Sequence, residues 1–189
     1  GHDACQAPRF EVDMLSIRWR TALFAFVITL AVAPFQVLAQ EVDPVRSRSG
    51  MVSSQQWIAS QVGADVLSSG GNAVDAAIAT GFALAVTHPT AGNIGGGGFM
   101  VIRFPDGQST AIDFREKAPL TSHPEMWLDE TGEYSSDLHH RSHKAVGVPG
   151  TVAGFDKAHR LYGEASWVDL VQPAIDLAGE GFELSEALA

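Results

Sequence analysis

Asn72-Ala-Val-Asp-Ala-Ala-Ile-Ala-Thr-Gly-Phe-Ala-Leu-Ala-Val86 contains no lysine, arginine or glutamate; after Asn72 it is almost wholly Ala, Val, Ile, Leu, Phe, Gly and Thr. Asn72 can cap a helix, and Asp75 falls at its third position, where the partial positive charge of a helix start favours a carboxylate. A helix apolar on every face must be buried. Its alanines, with Gly81, let neighbouring backbones come close, which suits a helix sandwiched against a sheet. Pro89 ends it, because the residue before a proline is pushed out of helical backbone.

Working outward, Ser53 or Ser54 is a plausible N-cap for a preceding helix. Ile58, Val62 and Val66 recur every four residues as one apolar stripe, and Gly70-Gly71 supplies a left-handed stop. Downstream, Phe99 to Phe104 reads as a strand. Pro105-Asp106-Gly107 is a turn signal, and Ser109 to Phe114 makes the returning strand. Glu116 to Gly147 is irregular and polar. Helical spacing returns from Gly150 to Leu161 through Val152, Phe155 and His159, with Gly163 as its stop. Ser166 with Asp169 resembles a capping box, opening a helix that carries Pro173, a residue tolerated only near the first turns. Ser185 opens a further helix cut short by the chain's end. Helices flanking a hairpin-built sheet indicate an α/β layered class. No internal repeat or low-complexity segment is present. The all-apolar helix implies partners beyond these residues.

The 189-residue chain divides into a leader, residues 1–39, and a single body, residues 40–189. From Met14 it reads as a basic start with Arg18 and Arg20, an apolar stretch from Thr21 to Ala33, and Val37-Leu38-Ala39 before Gln40, the layout of a secretory signal peptide cleaved after Ala39. The apolar stretch is well short of the ~20 residues a spanning helix needs, so no stable membrane anchor is expected. Residues 1–13 read as an over-extended frame or residues added for expression, with initiation at Met14. The expected destination is exported, periplasmic or extracellular. The one cysteine, Cys5, lies in the leader, so the mature chain can form no disulfide. A formal charge of −10, with nine scattered basic residues after Ala39, opposes nucleic-acid binding, which needs clustered Lys and Arg.

Several residues could carry chemistry. Arg115, in Asp113-Phe-Arg-Glu116-Lys-Ala-Pro119, follows a strand and precedes a loop, a position from which a guanidinium can grip a carboxylate through two parallel hydrogen bonds. On the residues alone, a structural ion pair with Glu116 and a substrate clamp both stand. Gly95 to Gly98 could cradle an anion with consecutive amides. No Gly-Lys-Ser/Thr follows, however, and Met100 stands where a dinucleotide fingerprint needs a glycine. Close backbone packing is the favoured reading of the run. His139, His140 and His143 have the spacing of possible metal ligands, but no cysteine assists and only Asp137 is near, so no metal is assigned. His88 suits a helix end. No Gly-x-Ser-x-Gly elbow occurs.

Taken together, Asn72-Ala-Val-Asp75, Pro89-Thr-Ala-Gly-Asn-Ile-Gly-Gly-Gly-Gly-Phe99 and Asp113-Phe-Arg-Glu116 closely resemble the start of the large subunit of gamma-glutamyltranspeptidases, or glutathione hydrolases, from about Gly50 to Ala189. The resemblance implies a four-layer αββα N-terminal-nucleophile hydrolase fold, of which these residues are a partial large-subunit fragment. It implies a zymogen that cuts itself in two, and a nucleophilic threonine on the small subunit, outside this chain, so that no catalytic residue is assigned here. It implies a γ-glutamyl-enzyme formed from glutathione or related compounds and resolved by water or by amino acid and peptide acceptors, without cofactor. Arg115 matches the family arginine that holds the α-carboxylate of the glutamyl group, and is the substrate-binding residue expected here. Two alternatives remain: a β-lactam side-chain acylase on the same scaffold, or a non-catalytic fragment acting in binding or assembly.

Overall fold

The computed structural model describes residues 43–186 and 188; the leader expected at 1–39 lies outside them. Among the described residues no helix is long and apolar enough to cross a membrane. The unit from Arg46 onward contains five α-helices, a short 3-10 turn and one antiparallel hairpin.

Helix α1 spans Trp57–Ser68. It starts later than the serines at 53 and 54 suggest, because the Ser54 hydroxyl is engaged elsewhere: it donates to the Gln56 carbonyl at 2.8 Å and lies 2.8 Å from the Ser60 hydroxyl. Gln56 becomes the N-cap without a side-chain capping bond. At the other end Gly70 takes φ +99°, a left-handed backbone, and the Gly71 amide closes on the Val66 carbonyl at 3.0 Å.

Helix α2, Ala73–Thr87, begins with a complete capping box. The Asn72 side chain accepts from the Val74 and Asp75 amides, and the Asp75 carboxylate accepts the Asn72 amide at 2.9 Å. Val74, Ile78, Ala79, Phe82 and Ala83 are buried. The neighbours are chiefly helices rather than a sheet: α1 lies on one side and α5, Trp167–Glu180, on another. Small residues admit a helix as readily as a sheet. Gly63 of α1 packs directly on Ala76 and Thr80, and a methyl group at Gly81 would sit 2.5 Å from the Phe155 ring. Burial all round is not reached among the described residues, because Ala73 and Ala77, with Gly81 and Leu84, face an open groove shared with Met51 to Gln55.

Strands β1, Phe99–Arg103, and β2, Ser109–Asp113, pair in the register Phe99↔Asp113 to Arg103↔Ser109. Alternation turns Met100, Ile102 and Ile112 toward the core and leaves Phe99 and Val101 on the exposed face. Helix α4, Thr151–Tyr162, adds Phe155, whose ring meets Phe82 edge to face at 5.2 Å and Phe114 at 5.8 Å. The hairpin thus reaches α2 through one aromatic chain.

Within the irregular 116–147 segment lie helix α3, Ser136–His140, and a 3-10 turn, His143–Ala145, capped by the hydroxyls of Ser135 and Ser142. Both are too short to show a hydrophobic period in sequence. At the start of α5 the Ser166 hydroxyl accepts the Asp169 amide and donates to the Asp169 carboxylate at 2.7 Å, so the pair closes side chain to side chain rather than as a full capping box. Pro173 stands inside α5. Past it, Ser185 opens a turn, with the Leu188 amide on its carbonyl, and not the helix expected there.

Candidate functional site

The candidate site grows from the end of β2. The Phe114 amide donates to the Gly98 carbonyl at 3.0 Å, extending the ladder by one residue, and the Arg115 amide donates to the Asp113 carboxylate at 3.0 Å, turning the chain. Two residues on, Lys117 and Val148 exchange amide bonds at 3.2 and 2.8 Å. Between these anchors the backbone of Phe114-Arg115-Glu116 is held by glycine contacts on both sides. A methyl group at Gly97 would lie 2.6 Å from the Phe114 carbonyl oxygen, and one at Gly150 would collide with that same oxygen. The Gly96 carbonyl accepts the amides of Gly150 and Thr151 at 2.7 and 3.0 Å. Asn93 locks the junction, its Oδ1 accepting both the Gly96 amide and the Thr151 hydroxyl. Gly96 to Gly98 therefore serve close packing. Gly95 meets nothing within 4 Å among the described residues.

From this rigid segment the Arg115 side chain stands out, 65% exposed. Its Nε lies 3.6 Å from Glu116 Oε2, and its Cζ sits 5.9 Å from the centre of the Phe99 ring. Glu116 engages the inner edge of the guanidinium, and the two terminal nitrogens have no hydrogen-bond or ion-pair partner among the described residues. The ion-pair and clamp readings are thus compatible in geometry. A carboxylate on Nε orients the fork while its two outer prongs stay available to a second carboxylate.

Arg115 also lines a cavity of about 220 Å³ with Asp113, Lys117, Pro149 and Lys157 of α4. Lys157 stands far from the strand in sequence and no spacing rule connects them; sequence reasoning did not single out either lysine.

The histidines take other roles. Tyr134 Oη lies 2.7 Å from His139 Nδ1 and 3.4 Å from His140 Nε2, the two imidazoles stack at 4.3 Å, and His139 leans on Trp127. His143 belongs to the separate 3-10 turn. Among the described residues no three His, Cys, Asp or Glu side chains are placed to hold a metal ion. His88 caps the C-terminus of α2, its Nε2 3.3 Å from the Thr90 hydroxyl. His159 lies with Nε2 2.7 Å from the Ala165 carbonyl and its ring edge on to Trp167, a fastening between α4 and α5. In the loop between β2 and α3, the Thr131 hydroxyl, then the amides of Thr131 and Glu133, hold the Asp129 carboxyl below its usual range.

Helices packed about a hairpin place the described residues in the α/β class, and the solved structures they superimpose on carry the N-terminal-nucleophile hydrolase fold. Residues 59–189 match the family described as Gamma-glutamyltranspeptidase, and the chain belongs to that family. It is 56% identical over 146 residues to the glutathione hydrolase proenzyme of Escherichia coli (strain K12), covering 77% of this chain and 25% of that protein. With the glutathione hydrolase proenzyme of Pseudomonas sp. (strain A14) the identity is 51% over 157 residues, covering 83% and 27%. Among solved structures, Helicobacter pylori gamma-glutamyltranspeptidase superimposes with a TM-score of 0.72 at 47% identity, over 77% of this chain and 42% of that one. The chain thus spans about a quarter of the length of these curated relatives.

Proposed function

We propose that these residues form the donor-binding part of a γ-glutamyltransferase and glutathione hydrolase. The observation that carries the reading is the Arg115 fork, fixed at its root by the Gly97 and Gly150 contacts and braced by Glu116, with its terminal nitrogens unpartnered among the described residues. A γ-glutamyl donor has a free α-carboxylate beside its α-amine. A planar guanidinium matches that carboxylate with two charge-assisted bonds, which a lysine cannot reproduce.

The chemistry is completed by a threonine on a separately processed subunit of the same precursor. Its hydroxyl attacks the γ-carbonyl while its own α-amine takes the proton; the amine leaving group departs with a proton, and a γ-glutamyl ester remains. Water then releases glutamate, or an amino acid or peptide amine takes the acyl group. Arg115 contributes by holding the donor so that the γ-carbonyl meets the nucleophile, a positional effect worth several kcal/mol where the fit is close. The leader at residues 14–39 supports an exported enzyme, periplasmic or extracellular, without a stable membrane anchor.

Hydrolysis of γ-glutamyl and glutaryl anilides by the complete, processed protein tests this. The glutaryl compound lacks the α-amino acid pattern that Arg115 would recognise. Strong preference for the γ-glutamyl anilide is expected, and equal rates would point to a side-chain acylase instead.

A further inference from the structure

The chain is acidic overall, at −10, yet three of its nine basic residues after Ala39 line a single cavity: Arg115, Lys117 and Lys157. Asp113 is the one acid on that wall, and its Oδ1 already accepts the Arg115 amide at 3.0 Å. Glu116, beside it, lies against Arg115 Nε. Asp156, the neighbour of Lys157, pairs with Arg160 at 2.7 Å instead. Among the described residues neither lysine has an ion-pair partner, whereas Arg141 and Arg160 each pair with an acid one turn earlier on their own helices. Two lysines without an ion-pair partner among the described residues, lining the same hollow as Arg115 and opposite in sign to the chain as a whole, make a local field that attracts anions.

The hollow, about 220 Å³ and open to solvent, has room for a carboxylate beside Arg115.

We infer that Lys117 and Lys157 bind a second carboxylate of the donor, the one carried by its leaving group, and so favour γ-glutamyl peptides and other γ-glutamyl compounds with an anionic leaving amine over neutral ones. This rests on the assignment of Arg115 to the α-carboxylate: the arginine fixes the glutamyl end, and the lysines select what is attached to it. Both ammonium groups are solvent-exposed, so their effect is moderate and weakens with salt.

The test uses the complete, processed enzyme and two chromogenic donors, γ-glutamyl-4-nitroanilide with a neutral leaving amine and γ-glutamyl-3-carboxy-4-nitroanilide with an anionic one. The double variant Lys117→Gln/Lys157→Gln should raise KM for the carboxylated donor roughly three- to tenfold and leave KM for the neutral donor within about twofold. The Lys117→Arg/Lys157→Arg variant should keep the wild-type discrimination. Added salt should narrow the gap between donors in the wild type and have no such effect in the Gln variant. Equal changes with both donors, or none with either, would overturn the inference. An Arg115→Gln arm separates the two layers. KM rising for both donors upholds the clamp, whatever the lysines do. KM unchanged for both removes the clamp and, with it, the alignment of the second carboxylate, even if the lysine variant still discriminates. Normal self-cleavage and an unchanged melting temperature in the lysine variants establish that their fold is intact.

Discussion

The Asp75 carboxylate is fully buried and accepts the Glu164 amide at 3.1 Å, joining residues 89 apart in sequence. It also takes the amides of Asn72 and Ala165, while the Asn72 side-chain amide donates to the Tyr162 carbonyl at 2.6 Å. A motif that looks like a local helix cap therefore also fastens the start of α2 to the connection between α4 and α5.

Replacing Asp75 by Ala should accordingly cost more than a surface cap. Losing a cap costs about 1 kcal/mol, and the part-buried amides of Glu164 and Ala165, which water can reach, add about 1 kcal/mol more. A loss of about 2 kcal/mol is expected in chemical denaturation of the complete protein. Asn72→Ala should cost less, since the amides of Glu164 and Ala165 keep their acceptor. A drop of under 1 kcal/mol for Asp75→Ala would mean that the tie to α4 and α5 is not maintained in solution.

Gly150→Ala tests the glycine contacts around the strand end. The added methyl would collide with the Phe114 carbonyl oxygen, which has no flexible side chain to move aside. Strain relieved by shifting the Phe114-Arg115 backbone should raise KM for γ-glutamyl donors, while a substitution at Gly95, which meets nothing within 4 Å among the described residues, should have a smaller effect. Similar kinetics for both variants would remove the proposed role of close packing in aiming Arg115.

Arg115→Ala should raise the donor KM by about tenfold or more, given that hydrogen bonds to charged groups contribute about 1.5–3 kcal/mol each. Arg115→Lys should recover little, because an ammonium cannot form the two-pronged contact. Self-cleavage of the precursor should continue in both variants. An unchanged KM for a γ-glutamyl anilide would refute the clamp.

Asp129 gives a pH prediction away from the site. Its carboxyl is held low by the Thr131 hydroxyl first, at 2.6 Å, and by the amides of Thr131 and Glu133. A lowered folded-state pKa makes this loop's contribution to stability complete above the ordinary carboxylate range and lost as pH falls through the lowered value. Carbon-detected NMR titration should place Asp129 below an ordinary aspartate, and Thr131→Val should move it back up. No movement in that variant would show that the hydroxyl is not the main cause.

The structure also separates what could be read in advance from what could not. The capping box at Asn72, the Gly70 stop, the hairpin about Gly107 and the helix ending at Gly163 were all legible, because each depends on residues within a few positions of one another. The late start of α1 was not legible, since Ser54 could serve either the helix or the lead-in and chose the Gln56 carbonyl and Ser60. The short α3 helix was missed because five residues cannot display a 3.6-residue period.

What the sequence determined by itself is local and compositional: the longer helices and the hairpin, most of their stops, and the motif from Asn72 to Glu116 that marks the family. Only the tertiary structure decided that the glycine run packs on Phe114 and α4, that Glu116 takes the inner edge of Arg115, and that Lys157 joins Lys117 beside it. The reason is physical. Caps, turns and periods are fixed by neighbours along the chain, whereas a site is made of groups brought within a few ångströms by core packing, here through Ile112, Phe114 and Phe155, and no spacing rule records that meeting.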